Sequence, residues 1–417
     1  MWGDIVIAFT IAFMTAFMAT PHTIKLAKKV GAVDTPQDAR RINKITMPRL
    51  GGLAVIAGFF VSIIYLLIVM SIEDKIDLHQ DNYLIKLIGF ALGAGVIGIV
   101  CFVDDVKGVP ALIKLAAQTI AAIIVVRFGI KIENLDIPFL NLEGVGNGFY
   151  IILTVGWIIG ITNAMNLIDG LDGLSTGISI ISCLSLLIIF SLNASPIISI
   201  VLITALGGAL CGFLPYNFNP AKTFIGDTGS NFLGYCLSII SILGIAKTYT
   251  AIVIVAPLMV LALPIFDTLS SIVRRVIHGK SLKAIIEPDA GHLHHKLLKK
   301  GFTQKQAVLI LYGITAIFGM FAIILMDSGI WKALSFAITN STSVTFSPLT
   351  NTEPPVTNCL ASLFEDAAPT LTKAVKICVS SSNSILGTPL KHDWTCSNVK
   401  FWILPENNIW LMSKASW

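Results

Sequence analysis

The acidic residues that could carry chemistry lie in three short stretches of an otherwise apolar chain. Asp104 and Asp105 are adjacent in FVDDVKG, Asp169 and Asp172 lie three residues apart in NAMNLIDGLDGL, and FIGDTGS carries Asp227. Adjacent carboxylates raise each other's pKa unless a cation lies between them. Oxygen ligands near water suit Mg²⁺, which often bridges phosphates. We interpret the stretches as parts of a phosphate-handling metal site, with solvated interfacial carboxylates as the alternative.

Two amides extend the second acidic stretch. Asn163 and Asn166 lie three residues apart, shortly before Asp169 and Asp172. If the segment is helical, residues three apart share a face, so carboxylates and amides would line one surface. The two glycines of the stretch would let a ligand approach the backbone closely. The pattern predicts a polar binding surface, and a polar turn between two spans is the alternative.

The segments around Asp227 and around three histidines favour phosphate binding. Asp227 follows Gly226 and precedes TGS, and such a loop can offer backbone N–H groups to an anion and a carboxylate to its metal. His292, His294 and His295 lie among lysines in GHLHHKLLKKG. Zinc is the alternative, but the lysines and the lack of a Cys or Glu at ligand spacing favour a phosphate-binding cluster.

The elements that must position these residues are membrane spans. Of 417 residues, 55% are hydrophobic and 13% are charged, whereas soluble domains are about one-quarter charged. The long apolar runs approach the roughly 20 residues needed to cross a bilayer, and they do not alternate with a period of two. The sequence predicts an all-α fold, a polytopic integral membrane helical bundle. We place ten spans at about 3–21, 51–71, 84–102, 110–128, 149–166, 177–192, 197–215, 230–246, 250–272 and 306–327.

Net charge and cysteine spacing bear on which partners and metal sites the protein could have. The net charge of +5 is modest, so nucleic acid is not expected as a partner. The seven cysteines are scattered without a CxxC pair, so we interpret them as small core residues rather than metal ligands.

Lysines and arginines predict the orientation, because they concentrate in cytoplasmic loops. The loops at 22–50 and 273–305 hold seven and eight of them, whereas the alternate loops are mainly acidic. The same alternation puts the loops at 103–109, 167–176 and 216–229, which carry the acidic stretches, on the side of the basic loops. The sequence therefore predicts an external N-terminus and an active-site cleft at the cytoplasmic face.

The composition changes near residue 332. The segment from there onward is rich in Ser, Thr, Asn and Pro and has no apolar run of span length. We predict a membrane-embedded domain at 1–331 and a weakly ordered tail at 332–417 on the external side.

Five motifs in order resemble a known family. They are MPRLGGLAV (47–55), FVDDVKG followed by Lys114 and Gln118, NAMNLIDGLDGL, FIGDTGSNFLG (224–234) and HLHHKLL (292–298). Over about residues 5–330 the chain resembles the polyprenyl-phosphate N-acetylhexosamine-1-phosphate transferases, and HLHH resembles the branch that uses UDP-N-acetylglucosamine (UDP-GlcNAc). The chain departs from the family pattern at Asn43, where His is common, at Asp289-Ala290, where a basic residue is common after the Asp, and in lacking an eleventh span.

The resemblance implies transfer of GlcNAc-1-phosphate from UDP-GlcNAc to undecaprenyl phosphate, releasing UMP, in a bacterial plasma membrane. It implies Mg²⁺, or Mn²⁺ in its place, with Asp227 as the first ligand and Asp104 as the second. Either Asp104 or Asp105 would act as a base or orient the lipid phosphate. The remaining expected roles are catalytic for Asp169, Asp172 and His294, and substrate-binding for Arg49, Lys114, Asn163, Asn166, His292 and His295.

Other functions stay open at this stage. The phospho-MurNAc-pentapeptide transferase branch is the alternative within the family. A divalent-cation transporter would also carry membrane carboxylates, but near the midplane rather than at span ends. An inactive scaffold is a third alternative. The sequence leaves open a homodimer, the lipid length, GlcNAc versus GalNAc, and whether the glycan is teichoic acid, O-antigen or another.

Overall fold

The structure, a computed structural model, describes residues 2–35, 46–73, 82–132, 146–193, 195–245, 251–279 and 291–328. The described residues are mainly helical and include one antiparallel pair of two-residue strands. The elements in chain order are α1 (Trp2–Val30), β1 (Val33–Asp34), β2 (Met47–Pro48), α2 (Gly51–Ile72), α3 (Tyr83–Lys107), α4 (Ala111–Arg127), α5 (Asn147–Ile168), α6 (Leu174–Leu192), α7 (Ile197–Asn217), α8 (Gly226–Ile245), α9 (Ala251–Val260), α10 (Ala262–Gly279), α11 (Leu293–Lys299) and α12 (Gln304–Ser328).

The predicted class, a polytopic all-helical membrane protein, is confirmed. Over the described residues, seven helices are long and apolar enough to cross a bilayer, namely α1, α2, α3, α5, α6, α7 and α12. Ten spans were predicted. Helix α4 has 17 residues, and the first turns of α8 carry the polar sequence GDTGSN, so these two predicted spans do not qualify by length and hydropathy.

The predicted ninth span, 250–272, is divided into α9 and α10 by a turn at Leu261. The amide of Leu261 donates to the carbonyl of Pro257 at 2.9 Å and makes the last helical hydrogen bond of α9. Pro264 lies in the first turn of α10 and has no N–H for the carbonyl of Val260. This local loss of helical bonding accounts for the difference from one continuous span.

Two other boundaries differ from the prediction. Helix α1 continues to Val30, so residues 22–30 of the predicted basic loop are helical and carry Lys25, Lys28 and Lys29. Helix α3 continues to Lys107 and therefore includes the adjacent aspartates in its last turn. The predicted tail at 332–417 lies outside the described residues, as do Asn43 and Asp289, and the domain boundary stays a prediction.

Helix α7 lies at the centre of the described bundle. Over the most apolar part of this helix, 83% of the residues are buried. A Cβ added at Gly208 would lie 2.5 Å from the carbonyl oxygen of Phe9, so α1 and α7 pack with their backbones close together. Large apolar side chains on the outer faces of other helices are exposed, among them Ile64, Ile99 and Ile152. Such faces suit contact with lipid, where burial in protein is not needed.

Helices α2, α3 and α8 are held together by aromatic packing next to the acidic residues. The ring of Phe59 lies 5.5 Å from that of Phe232 and 5.8 Å from that of Phe90. Tyr235 stacks on Phe90 and donates its hydroxyl hydrogen to the backbone carbonyl of Phe90 at 2.8 Å. This contact fixes α8 against α3, and those two helices carry three of the candidate carboxylates.

Candidate active site

The motif MPRLGG forms a backbone support for the start of α8. The amide of Phe224 donates to the carbonyl of Pro48 at 2.8 Å, and the amide of Gly52 donates to the carbonyl of Ile225 at 2.8 Å. A Cβ added at Gly52 would overlap the backbone of Gly229. The first turns of α2 and α8 can therefore touch because both positions are glycine.

Asp105 binds the N-terminus of α8. Its carboxylate accepts hydrogen bonds from the amides of Asp227 and Thr228, both at 2.9 Å, and from the Thr228 hydroxyl at 2.6 Å. The Arg49 guanidinium lies 3.7 Å away. A carboxylate is favourable there, since the first amides of a helix have no partner within the helix. In this structure Asp105 fixes the backbone that presents Asp227.

Asp104 and Asp227 meet across one ammonium group. The Nζ atom of Lys114 lies 2.9 Å from Oδ2 of Asp104 and 2.8 Å from Oδ2 of Asp227. The amide of Val109 donates to the other Asp104 oxygen at 2.6 Å. Lys114 and Asp227 are 113 residues apart in the chain, so the fold assembles this cluster. The ammonium offsets the repulsion that two close carboxylates would otherwise exert.

This pair of carboxylates has the chemistry of a divalent-cation site. The Lys114 ammonium shows that positive charge is favourable between Asp104 and Asp227. Carboxylate oxygens are ligands that Mg²⁺ prefers, and it commonly keeps water and phosphate oxygens in the remaining positions. Among the described residues, no group of three or more His, Cys, Asp or Glu is arranged to hold a metal ion. The described residues supply two carboxylates here, and a cation bound by Asp104 and Asp227 would need further oxygen ligands from water or phosphate.

Asn166 contacts this cluster directly. Its Nδ2 atom donates to Oδ1 of Asp227 at 3.0 Å and lies 2.9 Å from the hydroxyl of Ser230. The amide therefore leaves Oδ2 of Asp227 to Lys114 and fixes the rotation of the carboxylate. Asn166 lies in the last turn of α5, and Asp227 lies in the first turn of α8.

Asn163 belongs to a second amide chain behind the carboxylates. Its Nδ2 atom donates to Gln118 at 2.7 Å, Gln118 donates to Asn231 at 2.8 Å, and Asn231 donates to the backbone carbonyl of Asp227 at 2.9 Å. Gln118 and Asn231 are buried. Because buried amides need partners, this chain fixes α4, α5 and α8 relative to one another.

Asp169 and Asp172 do not share a helix face. Helix α5 ends at Ile168 and α6 begins at Leu174, so both carboxylates lie in the turn between the helices. The expectation of one helical surface through them is wrong, because the glycines of the stretch interrupt the helix. Oδ1 of Asp169 accepts a hydrogen bond from Ser175 at 2.6 Å. Oδ2 of Asp172 accepts from Asn219 at 2.9 Å, in the loop before α8.

Desolvation dominates the electrostatics of Asp169. It raises the pKa of this carboxyl to about 7, and the negative charges of Asp227 and Asp105 act in the same direction. The hydrogen bond from Ser175 lowers the pKa by a smaller amount. Asp169 is thus a carboxyl that can hold or release a proton near neutral pH.

The histidines pack against the acidic turn. A Cβ added at Gly170 would overlap Nε2 of His294. The His294 ring is buried, and it lies 5.7 Å from the ring of His292 and 4.3 Å from that of His295. Burial lowers the pKa of His294 to about 4, and charge on His295 adds to this effect, so the ring is neutral at pH 7. Its Nδ1 atom is buried without a partner among the described residues.

Comparison with known proteins identifies the family. The sequence model of glycosyl transferase family 4 matches residues 85–245, which contain the five aspartates predicted for the site, Asp104, Asp105, Asp169, Asp172 and Asp227. The Bacillus subtilis protein named "Probable undecaprenyl-phosphate N-acetylglucosaminyl 1-phosphate transferase" is 38% identical over 330 residues, covering 79% of this chain and 87% of the relative. The chain belongs to glycosyl transferase family 4.

Two further relatives span the branches of this family. The "Decaprenyl-phosphate N-acetylglucosaminephosphotransferase" of Mycolicibacterium smegmatis is 33% identical over 375 residues, covering 82% of this chain and 88% of the relative. A "Phospho-N-acetylmuramoyl-pentapeptide-transferase" of Staphylococcus epidermidis is 32% identical over 332 residues, covering 76% and 96%. The resemblance to polyprenyl-phosphate N-acetylhexosamine-1-phosphate transferases that five motifs predicted is confirmed.

In this family member, the predicted site residues fall into three groups, although their roles stay predictions. Asp104, Asp227 and Asn166 form the cluster around Lys114. Asp105, Arg49 and Asn163 support the start of α8. Asp169 and Asp172 lie in the turn between α5 and α6, and the three histidines, His292, His294 and His295, lie beside that turn.

The sequence reasoning gave no role to several residues that support the site. The Thr228 hydroxyl donates to Asp105, and the Ser230 hydroxyl accepts from Asn166, although in the sequence both have the character of small residues in a turn. Asp267 bonds to His292 from within α10. A carboxylate in an apolar helical segment is itself a signal, because burying one requires a partner.

Proposed function

We propose that this chain transfers GlcNAc-1-phosphate from UDP-GlcNAc to undecaprenyl phosphate. An oxygen of the lipid phosphate forms a bond to the sugar-linked phosphorus of UDP-GlcNAc. The bond between this phosphorus and the oxygen that bridges the diphosphate breaks, and that oxygen leaves with UMP. The products are undecaprenyl-diphospho-GlcNAc and UMP. The main support for this proposal is that Asp104, Asp227 and Lys114 lie together at adjacent ends of α3, α4 and α8. A cation and phosphate groups could bind there. The name of the Bacillus subtilis relative supports the choice of substrates.

The chemistry explains why the site combines carboxylates with cationic groups. Donor and acceptor both carry phosphate charge, which repels a bare carboxylate. Bound Mg²⁺, held by Asp227 and Asp104, would neutralise phosphate charge as the bonds change. Lys114 contacts both carboxylates. Its ammonium group would bind a phosphate oxygen and stabilise the negative charge on it. Mn²⁺ would serve with the same ligands.

The other residues have supporting roles in this proposal. Asp105 and the amide chain from Asn163 hold the first turn of α8, so that Asp227 keeps its orientation. Burial raises the pKa of Asp169 to about 7, so this carboxyl would exchange a proton with substrate near neutral pH. The neutral His294 offers a hydrogen-bonding nitrogen rather than a fixed positive charge.

We place the enzyme in a bacterial plasma membrane with this site at the cytoplasmic face. The basic loops predict that orientation, and the water-soluble donor would come from the same side. Both substrates could reach the site, since the acceptor's phosphate lies at the membrane surface. A downstream use in teichoic acid or O-antigen synthesis is consistent with the branch but is not specified by these residues.

Other activities are disfavoured by particular observations. Transfer of phospho-MurNAc-pentapeptide is the function named for the Staphylococcus epidermidis relative, at 32% identity compared with 38% for the Bacillus subtilis protein. A cation transporter would place carboxylates near the bilayer centre. Here Asp104 lies in the last turn of α3 and Asp227 in the first turn of α8, at helix ends.

One assay separates these functions. Purified protein would be given undecaprenyl phosphate, Mg²⁺ and one of UDP-GlcNAc, UDP-GalNAc or UDP-MurNAc-pentapeptide, and lipid-linked product would be measured. We expect product from UDP-GlcNAc. Preference for the pentapeptide donor would reassign the chain to the other branch, and no product from any donor would contradict transferase activity.

The same assay tests the cation site. Asp227→Asn keeps the shape of the side chain and removes its charge, and we expect turnover to fall by at least about 10²-fold, the scale for losing a main electrostatic contact. Excess chelator should abolish turnover, and added Mg²⁺ should restore it. Asp4→Asn, a buried carboxylate in the first turn of α1, is the matched control. Full turnover in chelator, or in Asp227→Asn, would exclude the proposed metal site.

A further inference from the structure

Asp267 is a buried carboxylate outside the cluster around Lys114. It lies in α10 and is 2% exposed. Its Oδ2 atom is 2.8 Å from Nδ1 of His292, and its Oδ1 atom accepts a hydrogen bond from the amide of Leu293 at 2.8 Å. His292 is 25 residues further along the chain and is itself buried, so the fold brings the two groups together.

The contact fixes the chemical form of His292. An ionised carboxylate has no hydrogen to donate, so the hydrogen in this bond belongs to Nδ1 of the imidazole. In the neutral ring, Nε2 is then the nitrogen with the free lone pair. Asp267 thus selects one of two tautomers and also fixes the rotation of the ring.

The second oxygen extends this control to the rest of the histidine cluster. Helix α11 has only seven residues, too few to be stable through its own hydrogen bonds. Leu293 is its first residue, and the bond from its amide ties the helix to α10. The His292 and His294 rings lie nearly parallel, at 7°, and His294 packs over Gly170 of the acidic turn. The contacts therefore continue from Asp267 through His292 to the turn that holds Asp169.

We propose that Asp267 is a positioning residue for the transferase reaction, acting through His292. It holds His292 in the Nδ1–H tautomer and holds α11 where His294 covers Gly170. The inference rests on the proposed function for its kinetic consequence, but the tautomer can be measured without any substrate.

Asp267→Asn separates the two tasks of this carboxylate. The asparagine oxygen can still accept from the Leu293 amide, so α11 keeps its connection. Its NH₂ group would face Nδ1 of His292 and favour the opposite tautomer. If Asp267 only stabilises the fold, Asp267→Asn should lower the yield of folded protein but leave turnover per folded molecule at the wild-type value. If it sets the tautomer, turnover should fall by about 10- to 100-fold. Losing the hydrogen-bond partner of a metal-binding histidine has effects on this scale.

The kinetic experiment is a double-mutant cycle in the full-length protein. It compares Asp267→Asn, His292→Ala and the combined variant, with whichever of the three UDP-sugars the wild type uses. We expect the combined variant to be no slower than His292→Ala, because Asp267 would act only through that ring. Multiplied losses would overturn the proposal, and so would wild-type turnover in Asp267→Asn. Asp4→Asn is again the matched control.

The substrate-free readout is ¹⁵N NMR of protein labelled at its histidine side chains. The His292 signal is identified by its loss in His292→Gln. We expect the Nδ1–H pattern in the wild type and the Nε2–H pattern in Asp267→Asn. An unchanged pattern would overturn the proposal even if the transferase assay succeeds. The expected change would support it even if the donor is not UDP-GlcNAc.

Discussion

At the scale of single residues, the site is built from acidic groups that are held by three kinds of partner: an ammonium group, backbone amides and a hydroxyl group. Asp104 and Asp227 contact Lys114, Asp105 contacts backbone amides, and Asp169 contacts a hydroxyl. These partners decide which oxygens face substrates and which are already used. Glycines and histidines around the acidic turn add a steric constraint that substitution can test.

Gly170→Ala should inactivate the enzyme through His294. The added Cβ would overlap Nε2 of His294, and that ring cannot move easily because it packs between His292 and His295. We expect at least about a tenfold loss of turnover, the scale for misplacing a catalytic group. Gly160→Ala is the matched control, since a Cβ there meets open space. Equal turnover in the two variants would show that the His294 contact has no role in catalysis.

The lowered pKa of His294 should make stability depend on pH. Its folded pKa is about 4 and its ordinary value is 6.5, so between these values the unfolded chain binds more protons than the folded chain. The stability contributed by neutral His294 is complete above about pH 6.5 and is lost as pH falls towards 4. Because a tenfold change in proton affinity corresponds to about 1.36 kcal/mol, the loss is about 3 kcal/mol at most.

His294→Gln removes this titration and should flatten the stability curve. The measurement is thermal unfolding in detergent at pH 7.5 and pH 5, for the wild type and the variant. We expect the wild type to lose more stability than His294→Gln over this interval. A parallel decrease in both proteins would assign the pH dependence to other groups.

At the scale of elements, the position of α8 depends on its contact with α2. The glycines of MPRLGG and GDTGS let the two helix starts touch, and Asp105 on α3 binds the free amides of α8. Amide side chains on α4 and α5 hold the same helix from the other side. Several helices therefore converge on the turn that carries Asp227.

Gly52→Ala should separate α2 from α8. The added Cβ would overlap the backbone of Gly229, and backbone cannot rotate away as a side chain can. Overpacking of this kind costs about 1–3 kcal/mol or more, and we expect lower thermal stability together with lower turnover. Gly95→Ala, in α3, is the control because its added Cβ meets open space. A variant with wild-type stability and turnover would show that α8 tolerates displacement.

At the scale of the whole molecule, the proposed reaction requires the acidic helix ends to face the compartment that holds the nucleotide sugar. The C-terminal end of α3 and the N-terminal end of α8 bring Asp104 and Asp227 together at Lys114, and the C-terminal end of α5 adds the Asn166 amide. Orientation in the bilayer then decides which substrates can reach them.

Cysteine labelling tests this orientation. Lys299→Cys, in α11, should be shielded from an impermeant thiol reagent in intact cells, whereas Gly146→Cys, before α5, should react. Both positions are exposed. The parent protein should carry serine at Cys211, Cys359, Cys378 and Cys396, because Cys101, Cys183 and Cys236 are buried. Labelling of Lys299→Cys from outside would show that the orientation is the opposite of the predicted one. It would also exclude a nucleotide sugar from the cytosol as the donor.

The amino-acid sequence by itself determined the membrane class, the main helices and the residue types of the site. Apolar runs specify helices strongly, because a backbone in lipid must satisfy its own hydrogen bonds. The five sequence motifs predicted the protein family, and the comparison with relatives confirms it. Helix ends were less predictable, because α1 continues to Val30 through a change in hydropathy, whereas the helix breaks at Leu261 without one.

Only the tertiary structure decided which partner each carboxylate takes. Asp104 and Asp105 are neighbours on one helix, where successive side chains point about 100° apart. The rotation of α3 against α4 and α8 turns one towards Lys114 and the other towards the amides of α8. The bond between Asp267 and His292 likewise joins α10 to the residue before α11. Local sequence fixes the type and order of these groups, but their distances arise from helix packing between segments far apart in the chain.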